Sequence, residues 1–301
     1  MKIHVLDLGF LEMQEAIAVF VVEGPSGLAL VETGPYSTFP HLEEALQKNG
    51  FRFQDIQDVF LTHIHFDHAG AAWALAEKGI RIHVHPIGLP HMAAPEKLYN
   101  SAKMIYGDQM ERLWGIMKPI DEALLIAPKH GQEINSCGLK FTAYYTPGHA
   151  SHHIAWKVDA PDSDPVIFTG DVAGVRIGKG PVMPPCPPPD IHIESWQASI
   201  QLLRDLPVQS MYLTHFGLVE NKEEILIDLE KTLLSWASWM RPYYLANAPA
   251  ETIIPKFEAY VQAQLQTRGL DAATLARYEA ANPAYMSVAG LMRYWKKKLA
   301  S

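Results

Sequence analysis

Residues 62–68 read Thr62-His63-Ile64-His65-Phe66-Asp67-His68, directly after the apolar run Val59-Phe60-Leu61. The run reads as a buried strand, so the histidine cluster begins where that strand ends. His63 and His65, two apart at a strand end, project to the same side. Asp67 and His68 follow in the turn before a helical segment (AAWALAEKG, 71–79), where chain curvature can aim them back at the same point. Neutral imidazole and carboxylate are the ligands that zinc and similar borderline metals prefer. Four such groups in so short a stretch could hold one metal but would crowd a second, so distant partners are expected. Three candidates stand at the ends of apolar strands. They are His149 in Thr146-Pro147-Gly148-His149, Asp171 in Thr169-Gly170-Asp171 after Val166-Ile167-Phe168, and His215 in Leu213-Thr214-His215 after Met211-Tyr212. Each precedes a loop, so all could converge on one edge of a sheet layer.

The flanking sequence reads β-rich, then mixed, then β-rich, then helical. AIAVFVVEG (16–24) and LALVETG (28–34) flank Pro25-Ser26-Gly27, which predicts a β-hairpin. Residues 40–49 have helical spacing and end at Gly50. RIHVHP (81–86) is strand-like. Residues 95–118 look helical and carry Met104, Tyr106, Met110, Trp114 and Met117 at helical spacing, which predicts core packing ahead of a substrate lid. LKFTAYYT (139–146), HIAWKVD (153–159) and PVIFTGD (165–171) return to strand character. PVMPPCPPP (181–189) is a rigid extended segment that cannot join a central strand, and it reads equally as a pocket wall or a surface loop. Residues 194–205 are helical and 209–214 form a last short strand. Everything after Asn221 reads as helices, with turns near Ala248-Pro249 and Gly269. This order predicts an α/β sandwich over residues 1–220, with a helical extension over 221–301 packed on it.

Composition narrows the function classes. The chain has 301 residues, 48% hydrophobic and 19% charged, with a formal net charge of −8. Such an acidic chain would repel a phosphate backbone, and its basic run, Lys296-Lys297-Lys298, reads as a charged helix end. A small-molecule substrate is therefore expected, with no nucleic-acid or membrane partner; a homodimer is left open. Cys137 and Cys186 follow no metal or redox spacing. The start, MKIHVLDLGFLEM, lacks an uninterrupted apolar core, and no apolar stretch approaches the roughly 20 residues of a membrane span. A cytoplasmic location is expected.

The motifs carry a resemblance. Glu32-Thr33-Gly34-Pro35, T-H-x-H-x-D-H, T-P-G-H, T-G-D and the final T-H occur in the order found in metallo-β-lactamase-fold hydrolases, and the pattern is closest to the glyoxalase II-like branch. That resemblance spans roughly residues 1–220 and implies an αββα sandwich with metals at one edge between two sheets. It implies that His63, His65 and His149 hold a first metal, that Asp67, His68 and His215 hold a second, and that Asp171 bridges both. Two zinc ions per chain are implied, with iron or manganese as alternatives, and a bridging hydroxide as nucleophile that Asp67 orients. His153, four residues after His149, would support the site as a second histidine does in some members. Arg176 could meet a substrate anion. His83, His85, His91, His130, His152 and His192 read as structural.

Departures from other branches narrow the substrate. The zinc β-lactamases have Cys or Ser where Asp171 stands, which argues against an antibiotic. Flavodiiron proteins have Glu in place of the second histidine and add a flavin domain. Acyl-homoserine lactonases place Tyr where this chain has Gly174, and the glutathione-binding set of glyoxalase II has no match here. A small carboxylic ester, thioester or lactone is the expected substrate. The alternatives are a phosphoester or phosphotriester, or the oxidative chemistry of a persulfide dioxygenase-like mononuclear iron site.

Overall fold

Strand β2 (Ala18–Gly24) explains the layering, because alternate side chains enter two different cores. Ala18, Phe20 and Val22 point into one apolar cluster and Val19 and Val21 into another, and all five are fully buried. A strand buried on both faces must lie in an inner layer. The computed structural model describes residues 1–267 and 269–300, and among these it places β2 in the first of two six-stranded sheets.

The first sheet runs in chain order: β1 (Lys2–Asp7), β2, β3 (Gly27–Val31), β4 (Ile56–Phe60), β5 (Arg81–His83) and β6 (Leu125–Ile126). β1 to β3 pair antiparallel through the expected hairpin; β3 to β6 are parallel. Helices fill the parallel crossovers: α1 (Phe39–Lys48) before β4, then α2 (Phe66–Ala69) and α3 (Ala72–Ala76) before β5. α4 (Leu89–Ala93), α5 (Glu96–Tyr106) and α6 (Met110–Trp114) precede β6. The second sheet also follows chain order, from β7 (Glu133–Ser136), β8 (Leu139–Tyr145) and β9 (Ile154–Ala160) to β10 (Ser163–Phe168), β11 (Ser210–Leu213) and β12 (Gly217–Val219). Its one parallel pair, β10 with β11, is spanned by α7 (Ile193–Asp205). Four helices follow: α8 (Lys222–Leu245), α9 (Ala250–Gln266), α10 (Ala272–Ala281) and α11 (Ala284–Ala300).

Three apolar layers result. Phe20, Phe60, Phe141, Trp156 and Phe168 fill the space between the sheets. Leu30, Leu42, Val59, Trp73 and Leu75 join the first sheet to α1 and α3. Trp196, Met211, Leu213, Leu229, Trp236 and Leu291 join the second sheet to α7 and the C-terminal helices in one continuous cluster. The αββα sandwich with a helical C-terminal region is therefore the observed fold.

Three local expectations need correction. Gln209–Thr214 does not hold the last strand, because β12 adds an antiparallel edge to β11. The segment 95–118 is not one buried helix: it breaks at Gly107 and Gly115, and Met104 is 84% exposed while Met110 is buried. The proline-rich segment is not a plain surface loop, since Val182, Met183 and Cys186 are buried in the cluster shared with the C-terminal helices. Trp236, Trp239 and Tyr243 pack on Phe257 and Tyr260 of α9 or on one another, which is internal packing. No helix among the described residues is long and apolar enough to cross a membrane.

Candidate metal centre

Strand ends deliver the site residues. His63 and His65 leave the end of β4, and Asp67 and His68 sit on the single turn of α2. His149 lies between β8 and β9, Asp171 in a 3-10 turn after β10, and His215 just after β11. Backbone bonds stitch the two sheets at this edge: Ile154 N donates to Thr62 O (2.7 Å) and Ala18 N to Thr214 O (2.9 Å). Gly170 must be glycine, because its φ is +48° and a Cβ there would lie 2.4 Å from Thr62 Oγ1 and 2.8 Å from His153 Nε2.

The donor atoms converge in three overlapping sets, His63/His65/His149, His63/His68/Asp171 and Asp67/His68/His215, each with its atoms within 4.8 Å of one another. His65 Nδ1 lies 2.9 Å from His63 Nε2 and 3.0 Å from His149 Nε2. Asp171 divides its oxygens: Oδ2 is 3.3 Å from His149 Nε2, while Oδ1 is 3.3 Å from His68 Nε2 and 3.4 Å from His215 Nε2. Asp67 Oδ2 completes the second group at 3.5 Å from His68 and 3.4 Å from His215.

The outward nitrogens fix what the inward ones offer. His149 Nδ1 donates to Pro185 O (2.8 Å) and His215 Nδ1 to Ala16 O (2.6 Å), and a carbonyl can only accept. His68 Nδ1 donates to the Glu32 carboxylate (2.8 Å). Thr62 Oγ1 spends its proton on Glu32 (2.5 Å), so it accepts from His63 Nδ1 (3.0 Å). In the neutral rings, each Nε2 therefore carries a lone pair aimed inward. Buried His68 Nε2, His215 Nε2 and Asp171 Oδ1 have no hydrogen-bond partner among the described residues. Lone pairs facing one another in a dry pocket are costly without a cation between them. Tetrahedral zinc with bonds of about 2.0–2.1 Å has ligand–ligand edges of about 3.3–3.4 Å, close to the spacings around Asp171 and Asp67. The residues fit a metal.

Protonation is suited to the same role. Burial, then the neighbouring imidazoles, hold His63 well below the usual histidine range; burial depresses His65 to about 4 and also lowers His149. Burial pushes Asp67 and Asp171 up, but the surrounding histidines outweigh it and hold both carboxyls well below the ordinary range. Burial disfavours charge on His68, yet Asp67, Asp171 and Glu32 outweigh it and raise it well above 6.5, so a cation entering here displaces a proton.

The model of the metallo-beta-lactamase superfamily matches residues 14–215, most of the chain and every residue of this cluster. The chain belongs to the metallo-beta-lactamase superfamily. Its members are generally metal-dependent hydrolases, and the chain is an enzyme of that kind. A metallo-beta-lactamase fold-containing protein of Sulfurisphaera tokodaii is 27% identical over 230 residues, covering 73% of this chain and 80% of the relative. The crystal structure of an archaeal superfamily protein from Sulfolobus tokodaii superposes with a TM-score of 0.62 at 26% identity, covering 78% of this chain and 85% of that one. A metallo-beta-lactamase family protein from Thermus thermophilus, at 18% identity, shares the fold over 99% of this chain and 94% of its own, with a TM-score of 0.68. The glyoxalase II-like branch has weaker support: a hydroxyacylglutathione hydrolase of an Enterobacter species is 29% identical over 128 residues, 42% of this chain and 36% of the relative.

Within this metallo-beta-lactamase site, His153 stacks on His63 (ring centroids 5.0 Å apart) and bonds Thr146 Oγ1 through Nδ1 at 2.8 Å. Arg176 lies beside this cluster through its backbone and is held through its side chain. Its Nε donates to Gly180 O (3.2 Å) and its backbone N to His215 O (2.5 Å). His83 pairs with Asp58, His85 and His130 accept from backbone N–H groups, and His192 caps α7. His152, read as structural, lies against His65 with ring centroids 5.6 Å apart. The residue sequence reading missed is Glu32. Fully buried at φ +69°, it accepts from Thr62 N (3.1 Å), Thr62 Oγ1, His68 Nδ1 and Thr214 Oγ1 (3.1 Å). Its signal was an acidic residue inside the Glu32-Thr33-Gly34-Pro35 turn.

Proposed function

We propose that the chain is a two-metal hydrolase of small carboxylic esters, thioesters or lactones. One observation carries the reading: the two oxygens of Asp171 are divided between His149 on one side and His68 with His215 on the other. A mononuclear iron site of two histidines and one carboxylate needs no such division. His63, His65 and His149 would hold one ion, Asp67, His68 and His215 the second, and Asp171 both. The imidazole and carboxylate donors favour zinc.

Divalent metal bound here supplies Lewis acidity and a water deprotonated near neutral pH. The protein's own contribution is positional. Asp67, whose side chain is 21% exposed, is the more open of the two carboxylates and is placed to orient an incoming water. The other imidazoles are buried and locked through their outer nitrogens, so substrate must enter on the side of His65 and Asp67. Water adds across the acyl C–O or C–S bond, releasing a carboxylic acid and an alcohol or thiol. The Enterobacter relative is named for hydrolysis of an acylglutathione, which supports retaining thioesters in the class. A small-molecule substrate, rather than a nucleic acid, is supported by the net charge of −8.

The test is elemental analysis of the full chain purified without added metal or chelator, followed by a screen of esters, thioesters, lactones and phosphoesters. About two zinc ions per chain are expected. Asp171→Ala is expected to lose both ions and hydrolysis while keeping the wild-type circular dichroism spectrum. One iron per chain, or full activity in Asp171→Ala, would overturn the reading.

A further inference from the structure

The segment Pro184-Pro185-Cys186-Pro187-Pro188-Pro189 contains a single backbone N–H, that of Cys186, because proline has none. It cannot anchor itself by donating a ladder of bonds, so its position depends on what its carbonyls and this one donor meet. Pro185 O receives the bond from His149 Nδ1 at 2.8 Å. Most of the other partners come from the far end of the chain. Cys186 N donates to Ser287 Oγ of α11 (3.3 Å), Asn282 Nδ2 donates to Pro184 O (3.3 Å), and Arg293 Nε donates to Pro189 O (3.1 Å). Just upstream, Tyr278 OH of α10 donates to Pro181 O (2.6 Å). α11 also touches the segment backbone to backbone: a Cβ built on Gly290 would lie 1.9 Å from Cys186 O. Only glycine admits that approach.

We propose that α11, with the turn that precedes it, is a positioning element for the metal centre, setting the Pro185 carbonyl through Ser287 and Gly290 of the helix and Asn282 of the turn, and so fixing the tautomer and direction of His149. The proposal rests on the metal-centre reading above and assigns the C-terminal helices a role beyond burying the second sheet. These residues lie outside the stretch matched by the superfamily model, which ends at residue 215. Ligand-orienting partners typically change metal affinity by about 10–100-fold when removed. The chain of contact has one rigid proline link and no solvent-exposed joint, since Ser287, Cys186 and His149 are all buried.

The experiment titrates metal-free full-length protein with Co2+, reading affinity and the visible ligand-field spectrum, for wild type, Ser287→Ala and Gly290→Ala. Each variant is repeated in a His149→Ala background. Expected are a wild-type spectrum of two bound ions and, in folded variants, affinity about tenfold weaker at one site with a changed spectrum. Neither change should appear in the His149→Ala background, because the effect travels through that ring. Unchanged titrations of folded Ser287→Ala and Gly290→Ala would overturn the proposal alone. An equal loss with and without His149 would also overturn it, by showing general support of the fold. A wild-type chain that takes up no Co2+ would overturn the metal-centre reading and this proposal together. Should Gly290→Ala fail to fold, Ser287→Ala, which only deletes an oxygen, carries the test.

Discussion

Glu32 shows how one residue outside the proposed ligand set can hold it in place. Its carboxylate collects four donors in a fully buried position, and it adopts a left-handed backbone that a side chain this size rarely takes. The strain is offset by these four bonds. A glutamine at this position would turn an NH2 group toward at least one of those donors, and the His68 ring would lose its charged acceptor. Glu32→Gln should therefore bind metal about 10–100-fold more weakly while keeping its secondary structure. Zinc content after dialysis against graded chelator measures this; retention equal to wild type would remove Glu32 from the site. The ligand-type residues were legible because their chemistry and spacing are local, as in His63 and His65 at one strand end. Glu32 was less so, because nothing in Glu32-Thr33-Gly34-Pro35 says that Thr62, His68 and Thr214 lie around it. The Pro185 carbonyl was illegible altogether, being backbone met by a ring 36 residues earlier.

At the scale of elements, Asp58 ties the sheets together away from the site. From β4 it bonds His83 (2.8 Å) and Arg81 (2.8 Å) on β5 of its own sheet and Ser136 Oγ (2.5 Å) on β7 of the other. Burial raises its carboxyl pKa, but the bonds from His83, Ser136 and Arg81 outweigh that and hold it below 3.8. A carboxyl depressed on folding contributes stability that is present above its unfolded pKa and is lost as pH falls through the folded value. The stability gap between wild type and Asp58→Asn should thus be full at neutral pH and shrink as pH drops below about 4. Urea denaturation of both proteins across that range tests it; a gap that widens on acidification would exclude the tie. Long elements such as α7 and β9 announced themselves by periodicity, whereas β6 and β12, with two and three residues, are too short to show any. They exist because a neighbouring edge offers unpaired backbone groups, which is a property of the assembled sheet.

For the molecule as a whole, the question is whether the C-terminal helices are a separable attachment. Leu226, Leu229, Leu233 and Trp236 of α8 share one buried cluster with Trp196 of α7 and with Met211 and Leu213 of β11. β11 is also the strand that leads into His215. Removing α8 to α11 would expose that face of the second sheet and release the proline-rich segment behind His149. Metal centre and helices should therefore unfold as one cooperative unit. In a thermal melt, loss of helical circular dichroism and release of bound zinc should coincide, the standard test of two-state behaviour. Leu229→Ala, a cavity in the helical layer that removes none of the metal-binding side chains, should cost about 2–5 kcal/mol and lower both transitions together. A chain ending at Asn221 should fail to yield a folded, metal-binding protein. If zinc instead stays bound after the helical signal has gone, or the shortened chain holds its metal, the sandwich is self-sufficient and the helices are an accessory.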